Sequence, residues 1–243
     1  MNTGLYLYCI SETNSRATLG NIGLYDKRVY TIGFKDVGAI VSDAPFKEIQ
    51  PSVNEINSHQ QAVEAAREKW TTLPVRFGTM FKSDDGVKKY LEKSYKELRA
   101  KMTKIANKDE YGVKVIFDKD DLSKLDIKID DNAEIKKIRS EIAKSGQGKS
   151  YFLKLKLDEA LRNEVLKKID VISTDIYNQI SSCAFDKCLL KSDIAQIILN
   201  AAYLVDRTKK DEFDSRVLEI KRKYEPNGVT IHVSGPWAPY SFC

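Results

Sequence analysis

The order in which strand-like and helix-like apolar periods follow each other most strongly limits what this chain can fold into. Three runs with two-residue alternation, at residues 5–10, 29–34 and 37–43, come before any helical pattern. A helical stripe then runs from Ser52 to about Trp70, and a second, longer one follows. This order predicts a mixed α+β domain that closes at about residue 109.

Local signals predict how the first domain is built. The sequence S-V-N-E from Ser52 fits a capping box, and Ser83 is placed to cap the second helix. Between the helices, residues 71–81 are predicted to be extended, with Pro74 favouring an edge strand or a strand start. His59 lies on the apolar face of its helix, which favours a core histidine with satisfied hydrogen bonds over a ligand or a base.

The second predicted domain spans residues 110–243. Its periods indicate a strand, a charged insertion with a short helix at about 119–149, a long helix, two strands, a helix capped by Thr208, and a last strand. The run YFLKLKL at 151–157 fits either a strand or the start of the long helix. The fold class is therefore α+β with two domains, and the second has the β-α-β-β-α-β order of a ferredoxin-like domain with an insertion.

Composition argues against several classes of protein. The 243 residues include 40 Lys and Arg and 35 Asp and Glu, a net charge of +5 with mixed signs, which is not a strong nucleic-acid footprint. The longest apolar run, at 195–205, has about half of the roughly 20 residues that a membrane span needs. The first residues enter a strand without a basic leader, so we expect a cytosolic protein that does not bind membranes.

The sequence offers little for catalysis, metals or cofactors. Four cysteines and two histidines lack the spacing of a zinc site, and reduced thiols are expected. There is no G-x-S-x-G motif, and neither Cys183 nor Cys188 has an identifiable histidine partner. We predict no catalytic residue, no metal and no cofactor.

Two alternative functions stay open at this stage. AKSGQGKS at 143–150 fits a loose phosphate-loop pattern, but such a loop needs a strand before it, and a helical pattern precedes this one. We interpret it as an exposed turn, with nucleotide binding as the alternative. An RNA-binding ferredoxin-like module is the other, although the strand with Tyr203 has no basic residue before Arg207.

Two charge-poor segments stand out instead. The last nine residues, GPWAPYSFC, contain three aromatic residues, two prolines and no charge, so the tail is predicted to be stiff, non-helical and covered by protein. It either folds back on its own chain or holds a partner, and both are compatible if one ring edge stays exposed. In LPVRFGT at 73–79, Arg76 is the only charge, and it pairs with a carboxylate of its own chain or points at a partner.

These stretches together resemble the gas vesicle protein F/L family. The similarity is carried, in chain order, by LYLYCI at 5–10, His59 four residues before Val63, LPVRFGT at 73–79, EYGVKV at 110–115, LNAAYLVDR at 199–207 and GPWAPYSF at 235–242. Three positions depart from the family pattern: Ala238 stands where a proline is usual, Tyr111 where a tryptophan is common, and Cys243 extends the end.

The resemblance implies an accessory or minor structural protein of gas vesicles without a catalytic role or cofactor. It implies a modified ferredoxin-like second domain, and it favours a helix over a strand at 151–157. Its partners would be the small amphipathic shell protein and other accessory proteins, in the cytoplasm before assembly and at the gas vesicle afterwards. From the two charge-poor segments we predict that the shell protein binds apolar surface near the predicted domain junction, through LPVRFGT, the tail aromatics or an unpaired sheet edge. The predicted partner-binding residues are Leu73, Arg76, Phe77, Trp237, Tyr240 and Phe242.

Overall fold

The computed structural model of the chain describes residues 3–117 and 132–243, without the side chains of residues 147–149. The chain divides into two compact units. Of the described residues, the first unit contains 3–111, 204–207 and 235–243, and the second contains the others.

The helices and strands follow the order that the sequence predicts. The α-helices are α1 (Val53–Arg67), α2 (Asp84–Ile105), α3 (Ala133–Lys144), α4 (Gln147–Ser181) and α5 (Lys210–Tyr224). The strands of the described residues are β1 (Thr3–Ser11), β2 (Thr18–Gly20), β3 (Val29–Phe34), β4 (Val37–Pro45), β5 (Thr72–Pro74), β6 (Met80–Phe81), β7 (Lys108–Phe117), β8 (Asp186–Leu189), β9 (Ile197–Asp206) and β10 (Val229–Trp237).

The first unit is built around one sheet with β1 near its middle. The strand order is β2-β3-β4-β1-β5, and β6 also pairs with β1. β1 runs antiparallel to β4, with Leu5 opposite Asp43 and Ile10 opposite Ala39. Successive β1 side chains point to opposite faces, and both sets are buried, so both faces of the sheet are covered. The prediction that Pro74 lies in an edge strand is confirmed, since β5 ends the sheet.

Two serines that the sequence assigns to helix caps behave differently. At α2, Ser83 Oγ accepts a hydrogen bond from the Gly86 N–H at 3.3 Å, as predicted. At α1, the Ser52 hydroxyl donates to the carboxylate of Glu55 and makes no bond to the helix backbone, so the predicted capping box is not formed. α1 ends at Arg67, three residues before the predicted end.

The second unit carries a four-stranded sheet with the strand order β10-β7-β9-β8. A few residues at one end of β7, β9 and β10 are assigned to the first unit. Along the chain the elements are β7, α3, α4, β8, β9, α5 and β10. The predicted short helix is α3, and residues 151–157 lie in α4, as the resemblance implies. Residues 118–131 of the predicted insertion lie outside the described residues, and the ferredoxin-like class stays a prediction.

Three predictions about the second half of the chain need correction. A 3-10 turn at Arg207–Lys209 precedes α5, so the helix begins after Lys209 and Thr208 is not its N-cap. The tail at 235–243 belongs to the first unit and not to the second. The tail is also not free of helix, because Tyr240–Phe242 form a 3-10 turn in which the Phe242 N–H donates to the Pro239 carbonyl at 3.2 Å. Proline lacks an N–H but keeps its acceptor, which allows this turn.

An apolar cleft as the candidate functional site

A cleft of about 1150 Å³ opens on the first unit between α1, the loop at residues 75–79 and the tail. Ile49, Ile56, Phe77, Trp237 and Tyr240 supply its apolar surface. We refer to this surface as the cleft.

The floor of the cleft is a hydrogen-bonded group beneath α1. The Gly78 N–H donates to the Tyr6 hydroxyl oxygen at 3.1 Å, and the same hydroxyl is hydrogen-bonded to His59 Nδ1 at 2.9 Å. Tyr8 is held in the same manner, since its oxygen accepts from the Leu24 N–H at 2.8 Å and lies 2.7 Å from Ser42 Oγ. These bonds fix the two tyrosine rings under the cleft.

His59 is part of this floor and is not exposed to a ligand. Nε2 of its ring is closed off from solvent and has no hydrogen-bond partner among the described residues. Burial lowers the pKa of His59 to about 4. The expected core location is confirmed, but only one ring nitrogen is satisfied.

The loop at residues 75–79 is a short turn that presents two of the predicted residues. The Thr79 N–H and hydroxyl both donate to the Arg76 carbonyl, at 3.3 and 2.6 Å. Gly78, the third residue of the turn, has φ 86°, a value that favours glycine. The Phe77 ring lies 5.9 Å from the ring of Tyr6, so Phe77 joins the floor to the wall of the cleft.

The tail is held to β7 through one carboxylate. Glu110 accepts hydrogen bonds from the Ser241 N–H at 2.8 Å and the Ser241 hydroxyl at 2.7 Å. Ala238 is fully buried, whereas Trp237 is 39% exposed and Tyr240 is 43% exposed. The tail thus folds back on the first unit and leaves two aromatic side chains partly exposed in the cleft.

Four of the six predicted partner-binding residues meet at the cleft, and two do not. Arg76 and Phe77 come from the loop, and Trp237 and Tyr240 come from the tail. Leu73 is 3% exposed within β5, and Phe242 is 9% exposed with Lys104 Nζ 5.8 Å from its ring centroid. Both are packed inside the unit, so we remove them from the candidate surface.

Arg76 differs from the expectation that it pairs with a carboxylate of its own chain. Its side chain is exposed at the cleft, and no acidic residue within the described ranges forms an ion pair with it. The guanidinium is left to solvent.

Sequence reasoning missed the ion-pair group beside the cleft. Asp109 is 7% exposed and binds two arginines, Arg67 at 2.6 Å and Arg207 at 3.0 Å. Arg67 also pairs with Glu64 at 2.7 Å. The group joins the end of α1 to the start of β7 and the residue after β9. No local pattern marks it, because its members are 42 and 98 positions apart.

The described residues do not form the strand-loop-helix arrangement that a phosphate loop requires. AKSGQGKS spans the end of α3 and the first turn of α4, so a helix and not a strand precedes it, and the requirement for a phosphate loop fails. No group of three potential metal ligands occurs in residues 3–117 and 132–243. Cys9 is fully buried, and burial raises the pKa of its thiol, which favours the unreactive form.

None of the helices in the part of the chain that the structure describes combines the length and hydropathy of a membrane span.

The fold is that of known mixed α+β proteins from gas vesicles. The structure resembles the crystal structure of GvpF from Anabaena sp. PCC7120 with a TM-score of 0.83 and 24% identity, covering 99% of this chain and 98% of that one. It resembles the crystal structure of GvpF from Microcystis aeruginosa with a TM-score of 0.75 and 22% identity, covering 98% of both chains.

The sequence assigns the family. The family model for gas vesicle synthesis protein GvpL/GvpF matches residues 4–243, and the chain belongs to this family. Gas vesicle protein L1 of Halobacterium salinarum is 27% identical, over 100% of this chain and 91% of that protein. Gas vesicle protein F2 of the same organism is 26% identical, over 98% of this chain and 91% of that protein. The family expected from the residues is thereby confirmed.

Proposed function

We propose that this chain is a non-enzymatic accessory or minor structural protein of gas vesicles that acts in assembly by binding the small amphipathic shell protein at the cleft. The observation that carries the proposal is the cleft itself. The cleft brings partly exposed aromatic side chains of the tail next to the loop at residues 75–79, in a chain that belongs to a family of gas vesicle synthesis proteins. Other accessory proteins would join the same assembly.

The physical reason lies in the shell. Subunits that keep water out of a gas space need one strongly apolar face, and such faces aggregate before assembly unless something covers them. A partner that binds those faces reversibly prevents this aggregation and delivers the subunits to the growing wall. We place the chain in the cytoplasm before assembly and at the gas vesicle afterwards.

The exposed rings supply enough contact for such a role. Aromatic side chains bury about 150 to 250 Å² when fully covered. Trp237 is 39% exposed, so a partner covers roughly 60 to 100 Å² of it. At about 25 cal/mol/Å² this contributes about 2 kcal/mol, or a factor of about 30 in affinity.

We propose that the second unit has the ferredoxin-like class expected from the sequence. Its strand order β10-β7-β9-β8 and its order of elements support this class.

The test compares cleft variants with a matched surface variant. The full chain carrying Phe77→Ala and Trp237→Ala is titrated with shell protein from the same organism, beside a Tyr151→Ala control. Tyr151 is 68% exposed on α4, in the second unit. We expect the double variant to bind at least about 30-fold more weakly and the control to bind like wild type.

Circular dichroism of the same samples shows whether the variants are folded. Undiminished binding by a folded double variant would remove the cleft from the interface.

A further inference from the structure

The cleft contains one cation, Arg76, that none of the described residues neutralises. Arg76 lies in the turn that ends at Thr79, and the described residues offer it neither an ion pair nor an aromatic ring contact. A guanidinium presents N–H donors in a planar fork that matches the two oxygens of a carboxylate. The turn places the Arg76 backbone at the cleft, and no acidic side chain among the described residues of the unit holds its guanidinium.

The acidic residues of the same cleft restrict where a second charge can lie. Glu64 is paired with Arg67, and Glu110 accepts two hydrogen bonds from Ser241 while keeping its negative charge. Glu48 also lines the cleft, and no ion pair engages it among the described residues. An acidic group on an occupant is therefore favoured beside Arg76 and disfavoured near Glu48 and Glu110.

The size of the cleft indicates the kind of occupant. Pockets for small molecules usually have volumes of about 300 to 1,000 Å³. The cleft is larger, at about 1150 Å³, and it is open and lined mainly by apolar side chains. A stretch of polypeptide with an apolar face fits this space.

We propose that the cleft recognises an apolar segment of the shell protein that carries a single acidic side chain, and that Arg76 pairs with this carboxylate. The inference rests on the proposed function and adds the chemistry of the recognised segment to it. Apolar contact with Phe77 and Trp237 supplies affinity, and the Arg76 pair selects which segment binds and in which direction.

A double-mutant cycle tests the pair directly. Overlapping peptides of about 20 residues that cover the shell protein are titrated against the full chain. Each binding peptide is then remade with its acidic residue changed to the amide. We expect the amide peptide and Arg76→Gln each to weaken binding at least about tenfold, with little further loss when they are combined.

Matched variants show that the effect belongs to this position. Arg16 is also exposed on the first unit and does not line the cleft, so Arg16→Gln is expected to bind like wild type. Arg76→Lys keeps the charge but not the fork and is expected to recover part of the affinity. The same cycle is run on the intact shell protein, with its acidic residues changed to amides one at a time.

The outcomes separate this inference from the proposed function. In one outcome, Trp237→Ala weakens binding, but Arg76→Gln binds the acidic and the amide forms as well as wild type does, both as peptides and in the intact shell protein. This outcome overturns the carboxylate inference and leaves the cleft as the interface. If neither variant changes binding of the intact shell protein, the proposed function fails with it.

Discussion

At the scale of single residues, His59 is a ring that burial keeps neutral, with its Nδ1 2.9 Å from the Tyr6 hydroxyl. Its pKa is lowered to about 4 in the folded state, against about 6.5 in an unfolded chain. The unfolded state therefore takes up a proton at higher pH than the folded state does. The stability that this provides is complete above about pH 6.5 and is lost as the pH falls towards 4.

We predict that lowering the pH from 7.5 to 4 costs the first unit about 3 kcal/mol of unfolding free energy through His59 alone. Urea unfolding followed by tryptophan fluorescence measures this, because Trp70 and Trp237 both lie in the first unit. His59→Asn keeps an acceptor near Tyr6 but does not titrate, so its stability should change less over this range. Equal pH dependence in both proteins would show that His59 is not the titrating group.

Asp109 is a second residue with a defined role, since it is buried and binds two arginines. Asp109→Asn removes the negative charge between them, and we expect a loss of about 2 to 3 kcal/mol in urea unfolding. Glu97→Gln is the control, because its ion pair with Lys101 is exposed to solvent and its loss should change the unfolding free energy far less. Equal losses in the two variants would contradict a structural role for the Asp109 group.

Single residues also show where sequence reasoning reaches its limit. Ser83 caps its helix as predicted, whereas Ser52, also predicted as an N-cap, bonds to the Glu55 side chain instead. Local sequence determines which atoms can bond, but not which of two competing partners is used. Ile56 lies within the helical stripe predicted from Ser52 to about Trp70 and is nevertheless 46% exposed, at the cleft.

At the scale of elements, the tail depends on its close approach to β7. Gly235 has φ 119°, and a Cβ at this position would lie 2.7 Å from the Glu110 carbonyl oxygen. Any side chain at position 235 would therefore strain the backbone and would also clash with main-chain atoms of β7.

We predict that Gly235→Ala destabilises the first unit by about 2 to 3 kcal/mol and shifts the Trp237 emission to longer wavelength as the tail is released. Gly20→Ala is a matched control, because Gly20 has φ 99° but no atom within 4 Å of its Cβ position. It should cost only about 1 kcal/mol. A Gly235→Ala variant no less stable than Gly20→Ala would show that the contact with β7 does not hold the tail.

The elements themselves were largely predictable, but their assembly was less so. β1, β3 and β4 follow from two-residue alternation, and α2 follows from its stripe and cap. The position of the tail did not follow, because Glu110 and Ser241 are 131 positions apart and no periodicity relates them. The sequence predicted a charge-poor tail that must be covered, and only the structure shows what covers it.

At the scale of the whole molecule, the resemblance supplied the family and the cleft supplies the proposed site. Four predicted residues converge there although they come from two segments about 160 positions apart along the chain. Nucleotide binding loses its support because the turn before α4 follows a helix. An apolar, partly aromatic cleft in a gas vesicle synthesis family supports binding of protein and not turnover of a substrate.

Photo-crosslinking tests the central claim most directly. A photoreactive phenylalanine analogue replaces Trp237 in one sample and Tyr151 in another, and each chain is co-expressed with the shell protein and irradiated. We predict a crosslinked species that contains the shell protein from position 237 and none from position 151. Crosslinks from position 151 with none from position 237 would contradict binding at the cleft.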